Sequence, residues 1–189
     1  TPIPPSISEQ IFIARLRLAQ ALNDENADAE TLALRTELLE TLHGQVQALS
    51  EDSFLVRRQW ARVTKFKDKA IWRALSDTDI GELTQYIVPL LSGEAGGHPE
   101  TRRFDLLILQ TQLAQVTSNT TAYTTTADKI RQVAKGLQRK GSIDTVSRQM
   151  PLIDEVATAA FWPQLPVTSL EPVRIALRGL VRYLDKEAR

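Results

Sequence analysis

Apolar residues three and four places apart recur along almost the whole chain, and no stretch alternates apolar with polar residues as a half-buried strand would. That pattern confines the chain to an all-α fold, a helical bundle. "SISEQIFIARLRLAQAL" opens with Ser6 and Glu9 at capping-box spacing, where each side chain satisfies the other's unpaired backbone N–H. Its Ile7, Ile11, Leu18 and Leu22 fall on helical spacing, and "NDENAD" then interrupts with turn formers. From Asp28 to Ala48 a second helix is expected to carry Leu32, Leu38, Leu39, Leu42, Val46 and Leu49 inward, pairing with the first as an N-terminal helical hairpin.

A third helix is expected over Ser53 to Lys65, with a break near "KDKA". "SDTD", Ser76 to Asp79, starts another, which Pro89 should kink or end because proline cannot donate to the preceding turn. "SGEAGGHPE" separates an N-terminal helical part, 1–92, from a C-terminal multi-helix bundle, 98–189, the two expected to make one compact unit around a loop near 93–98. In the second half "TRRFDLLILQTQLAQV" has leucines on more than one face and reads as a buried central helix. The polar "TSNTTAYTTTAD" intervenes before a helix over "KIRQVAKGLQRK". Another helix spans Asp144 to Phe161, and a capping box at Thr168 and Glu171 starts the last. No internal repeat is evident.

Composition narrows the functional classes. At 189 residues the chain is long enough to bury a core as one domain or two small ones. It has no cysteine, which excludes disulfides, thiolate metal sites and cysteine catalysis and fits a reducing cytoplasm. No apolar run is long enough to span a membrane. The chain starts without methionine or a leader-like segment and ends inside a helical pattern, so a piece of a longer protein is expected.

Motifs for catalysis are not found. There is no phosphate-cradling G-x-x-x-x-G-K-[ST] loop, no G-x-G-x-x-G, no H-E-x-x-H and no G-x-S-x-G elbow. His43 and His98 each stand alone, without a partner at metal-ligand spacing. Carboxylate pairs such as Glu37 and Glu40 lie on an acidic helix face that solvation explains. The reading is no catalytic residue, no metal and no cofactor in this chain.

Charge placement says more. Lys plus Arg and Asp plus Glu both number 23, so the net charge is zero. Yet "SFLVRRQWARVTKFKDKAIW" gathers Arg57, Arg58, Arg62, Lys65, Lys67 and Lys69 against Asp68, threaded with Phe54, Trp60, Phe66 and Trp72. Two further stripes have helical spacing: Arg131, Lys135 and Arg139, then Arg174, Arg178, Arg182 and Lys186. Two readings of the Arg57–Lys69 cluster stand side by side: a surface for phosphates or an acidic partner, and a solvated face on which the acidic Asp24–Asp52 hairpin folds back. In either, Trp60 and Phe66 anchor the helix and the cations point outward. For the last stripe a solvated face is favoured, since Val173, Leu177, Leu180 and Leu184 supply the buried one.

"SFLVRRQWARVTKFKDKAIWRALSDTDIGELTQYIVPLL", "RRFDLLILQTQLAQV" and "FWPQLPVTSLEPVRIALRGLVRYLDK" resemble, in order and spacing, the C-terminal region of the R subunit of type I restriction enzymes. The marks are Phe54-Leu55-Val56-Arg57, Lys65-Phe66 with Trp72 and "LSDTD", Arg103-Phe104-Asp105, Phe161-Trp162 and "LEPVRIALRGLV", over about Asp52 to Lys186. The resemblance implies a helical assembly domain that docks an ATP-dependent DNA translocase and endonuclease onto the methyltransferase and specificity subunits. It implies that ATP and Mg belong to the parent protein's other domains, whose nuclease and ATPase motifs do not occur in this chain. An accessory duplex-DNA-binding role through the basic helix is the alternative, against which the neutral net charge weighs.

Overall fold

Short side-chain caps decide where the first helices begin. Ser6 Oγ accepts from the Glu9 N–H to start α1 (Ile7–Ala21), and the Asp28 carboxylate accepts from the Thr31 N–H to start α2 (Ala29–Gln47). In this computed structural model, which describes residues 5–91, 99–163 and 165–187 with side chains as far as Tyr183, ten α-helices and no strand are found among the described residues. None of these helices is long and apolar enough to cross a membrane.

The basic segment makes two helices rather than one: α3 (Phe54–Arg58) and α4 (Trp60–Lys67) break at Gln59, whose φ of −109° and ψ of 19° leave the helical region. A 3-10 turn over Lys69–Arg73 follows. Ser76 and Asp79 complete a reciprocal capping box at the start of α5 (Asp77–Glu82). Helix α5 runs on into a wider π turn, Leu83–Ile87, and a 3-10 turn, Val88–Leu91, that contains Pro89. Widening the turn ahead of Pro89 accommodates a ring that cannot donate to it. The expected "SGEAGG" loop and His98 lie outside the described residues.

In the second half α6 (Pro99–Val116) and α7 (Thr120–Gln138) are joined by Thr117–Asn119. The threonine-rich stretch expected to intervene is itself the start of α7. Asn119 caps it, and the hydroxyls of Thr124, Thr125 and Thr126 each donate to the carbonyl four residues back. The expected helix from Asp144 to Phe161 is divided into α8 (Asp144–Ser147), α9 (Met150–Val156) and a 3-10 turn, Ala159–Phe161. The last helix, α10 (Leu170–Glu187), begins after Thr168, and Glu171 accepts from Gln112 and Arg174.

The chain divides into two compact units, Thr1–Ala95 and Gly96–Arg189. In the first, Phe12, Leu16 and Leu18 of α1 are buried, as are Leu42 and Val46 of α2, Val63 and Phe66 of α4, and Leu83 and Ile87. Leu32, expected inward, is 42% exposed. In the second, Phe104, Ile108, Ile130, Leu137, Ile153, Trp162, Val173 and Leu177 form one core.

These units are two copies of one architecture, contrary to the expectation of no internal repeat. Elements starting at 54, 60, 69 and 77 recur, ninety residues on, at 144, 150, 159 and 167, and α2 and α7 are both 19 residues long. Over the segments ninety residues apart, buried residues correspond: Val56 with Val146, Val63 with Ile153, Trp72 with Trp162, and Ile87 with Leu177. So do the hydrogen bonds. Gln59 N donates to Val56 O and Gln149 N to Val146 O. The Trp72 indole donates to Phe66 O and the Trp162 indole to Val156 O, six residues back in each case. Gln20 of α1 reaches Asp77, and Gln112 of α6 reaches its counterpart Val167.

Candidate functional site

Most cations of the basic segment are turned toward their own unit. Arg57 Nη1 donates to the main-chain oxygens of Glu51 (3.1 Å) and Asp52 (3.4 Å). The Arg58 guanidinium lies 5.9 Å from the Phe54 ring centroid. Arg62 stacks at 3.7 Å over Tyr86 and donates to Gln59 Oε1 at 2.8 Å. Lys65 sits between Asp79 (3.1 Å) and Glu82 (3.0 Å), and the hydrogen bonds it donates, to Glu82 first and Asp79 second, push its pKa up. The carboxylates answering Lys65 thus come from α5, downstream, rather than from the acidic hairpin.

Lys67 is the largest departure from an outward-pointing row. Its Nζ donates to Leu49 O at 2.7 Å and Gln47 O at 3.2 Å, and lies 5.0 Å from the Trp60 ring centroid. A cation there satisfies carbonyls that the end of α2 leaves without intrahelical partners. In return the Lys67 carbonyl accepts from His43 Nε2 (2.8 Å) and Gln47 Nε2 (2.6 Å), both on α2. A carbonyl only accepts, so the His43 proton is on Nε2. Helices α2 and α4 therefore cap each other's C-terminal ends, which explains His43 without chemistry.

Lys69 differs. It lines a groove of about 340 Å³ between α2 and the Lys69–Arg73 turn, together with Arg35 and Arg73. Leu39 and Trp72 give the groove a buried apolar floor, and Glu40 is its one carboxylate. Arg35 and Arg73 are residues that sequence reasoning passed over. The signals were there, in Arg35 standing alone within the acidic Asp24–Asp52 run and in Arg73 four residues after Lys69.

At the start of α3, Phe54 is 65% and Leu55 57% exposed, beside the exposed Arg57 and Arg58. Trp60 and Phe66, expected as anchors, are half-buried and fully buried.

In the second unit Arg131 pairs with Asp128 at 2.9 Å, Lys135 is half-buried and Arg139, exposed, ends α7. Cations near a helix C-terminus complement its dipole, which is a sufficient account of the last two. On α10, Arg174 pairs with Glu171 (3.0 Å) and Arg178 with the buried Asp105 (3.3 Å), while Arg182 is exposed; the Lys186 side chain is outside the described residues. Among the described residues no group of three or more His, Cys, Asp or Glu could hold a metal ion.

The repeat supplies an internal comparison for every one of these positions. Phe54 and Leu55 correspond to the exposed Asp144 and Thr145; Arg62, Lys65, Lys67 and Lys69 correspond to Leu152, Glu155, Ala157 and Ala159. Of the six clustered cations, Arg58 alone meets a cation, Arg148. The same architecture forms without the others, so the fold does not demand them. No known family, curated protein or solved structure matches the chain.

Proposed function

We propose that this chain is a helical docking module, and that it serves as the assembly domain of a type I restriction enzyme R subunit, holding the DNA motor against the methyltransferase and specificity subunits. The observation that carries the docking role is the exposure of adjacent Phe54 and Leu55 beside Arg57 and Arg58, at positions where the sister unit carries polar side chains. Large apolar groups ringed by arginine are what anchors an interface, the apolar pair being desolvated and the guanidinium groups selecting an acidic partner face. The restriction-enzyme assignment is supported by the resemblance over Asp52 to Lys186. A duplex-DNA role is less supported, since Arg62, Lys65 and Lys67 are committed to Tyr86, the α5 carboxylates and the end of α2.

The test is association of the purified chain with a methyltransferase–specificity core, beside Phe54→Ser/Leu55→Ser and Arg57→Ala/Arg58→Ala variants. Binding by the wild type, weakened at least about tenfold by the apolar pair with unchanged thermal stability, is expected, since anchor residues carry most of an interface's energy. No binding by the wild type would remove the assignment, and salt-sensitive duplex binding lost with Arg57 and Arg58 would favour the DNA role.

A further inference from the structure

We propose that the groove between α2 and the Lys69–Arg73 turn binds a small phosphate monoester carried on an apolar or aromatic body. At about 340 Å³ it has the size of a small-molecule site, and its make-up is that of one: an apolar floor, Leu39 and Trp72, under a few convergent polar groups. Arg35, Lys69 and Arg73 against Glu40 leave a net positive charge matching a phosphate monoester, which carries between one and two negative charges near neutral pH. His43, beside them, is already committed through its Nε2 proton to the Lys67 carbonyl.

Two independent observations separate this groove from an ordinary solvated face. First, among the described residues the side chains of Arg35, Lys69 and Arg73 make no hydrogen bond, ion pair or ring contact, whereas those of Arg57, Arg58, Arg62, Lys65 and Lys67 each do; the Arg35 Nε is buried without an acceptor. A buried guanidinium N–H lacking a partner costs stability, so an arriving oxyanion recovers it.

Second, the sister unit shows what the scaffold does when this place is not needed. Lys69 and Arg73 correspond there to Ala159 and Pro163. Beside Trp162 the second unit has Tyr123, whose ring lies edge-on to it at 6.3 Å and whose hydroxyl donates to the Trp162 carbonyl. The two cations of this turn are thus particular to the first unit. The site does not depend on the docking reading, which concerns α3.

The experiment is an NMR titration of the ¹⁵N-labelled chain with phenyl phosphate, inorganic phosphate and benzoate, repeated on Arg73→Ala, Lys69→Ala and Thr36→Tyr. Saturable shifts confined to residues near 35–43 and 69–73, strongest for phenyl phosphate, are expected. Each alanine substitution should weaken binding about tenfold, the worth of one charge-assisted hydrogen bond. Thr36→Tyr should abolish it while every cation remains, by placing a ring in the groove that Thr36 lines. Lys69, Arg73 and Thr36 are exposed, so the variants keep the fold; their unchanged amide spectra verify this. Shifts spread over all exposed cations, equal affinity for inorganic and phenyl phosphate, or full binding by Thr36→Tyr would each overturn the proposal, and benzoate binding as tightly would replace phosphate by carboxylate and overturn its class.

Discussion

The Nζ of Lys67 donates to the carbonyl of Leu49 at 2.7 Å, so a lysine from the middle of the basic segment serves as the cap of the preceding helix. Positive charge gathered in sequence is here distributed in space: one cation stacks on a tyrosine, one bridges two carboxylates, one closes α2 and one opens onto a groove.

Lys67→Ala should therefore destabilise the first unit by about 2 kcal/mol, the loss of charge-assisted bonds to two main-chain oxygens. Arg58→Ala, which loses one exposed ring contact, should cost about 0.5 kcal/mol. Urea unfolding of the two variants, followed by Trp fluorescence, measures the difference; equal losses would contradict the capping role.

Trp72→Phe and Trp162→Phe test the repeat. Each removes an indole N–H from a main-chain acceptor, Phe66 O or Val156 O, and keeps an aromatic ring. Each should cost about 2 kcal/mol, read as a lowered melting temperature. A large loss for one and none for the other would mean that the corresponding bonds do not carry corresponding weight.

The Lys65–Asp79–Glu82 cluster sets a pH window. Asp79 lies below the usual carboxylate range, chiefly because it accepts the Ser76 backbone N–H and also because it pairs with Lys65. Its stabilisation is complete above its unfolded value, about 3.9, and is lost as pH falls through the lower folded value. Lys65 lies above its usual range, so its stabilisation is complete below about 10.4 and is lost as pH rises through the higher folded value. The stability gap between wild type and Lys65→Met should be constant from about pH 5 to about pH 9.5 and shrink at both ends. A gap that grew above pH 10 would reverse the assigned sign.

Ser118 is the one non-glycine residue with positive φ, 55°, among those described. It closes α6: Ser118 N donates to Gln115 O and Asn119 N to Ala114 O, the paired bonds of a helix end that glycine usually supplies. Ser118→Gly should stabilise the second unit by up to about 1 kcal/mol by removing the Cβ from a left-handed backbone. Thermal denaturation checks it, and a destabilised variant would refute the strain.

The all-α class, the hairpin, and the starts of α1, α2 and α5 were readable along the chain, because caps and helical periodicity are local matters of a few residues. The break at Gln59 and the helix in the threonine-rich stretch were not, since glutamine carries no stop signal and threonine is a weak helix former whose hydroxyls here bond carbonyls four residues back. The repeat escaped notice for a related reason. The units share few identities beyond pairs such as Gln59 with Gln149 and Trp72 with Trp162, and their offset slides from ninety-two residues at α1 to ninety at α3 as the loops differ. Burial preserves size and polarity, so Val63 can become Ile153 and Ile87 can become Leu177 without leaving a trace that spacing alone detects.

The amino-acid sequence by itself determined that this chain is helical, where several helices start, and that cations cluster between Arg57 and Lys69. The tertiary structure alone decided which of those cations have partners, that Arg35 and Arg73 join Lys69 at a groove, and that one architecture occurs twice. Helix formation is written in neighbours three and four residues apart, whereas the environment of a charge depends on side chains and carbonyls brought close from tens of residues away.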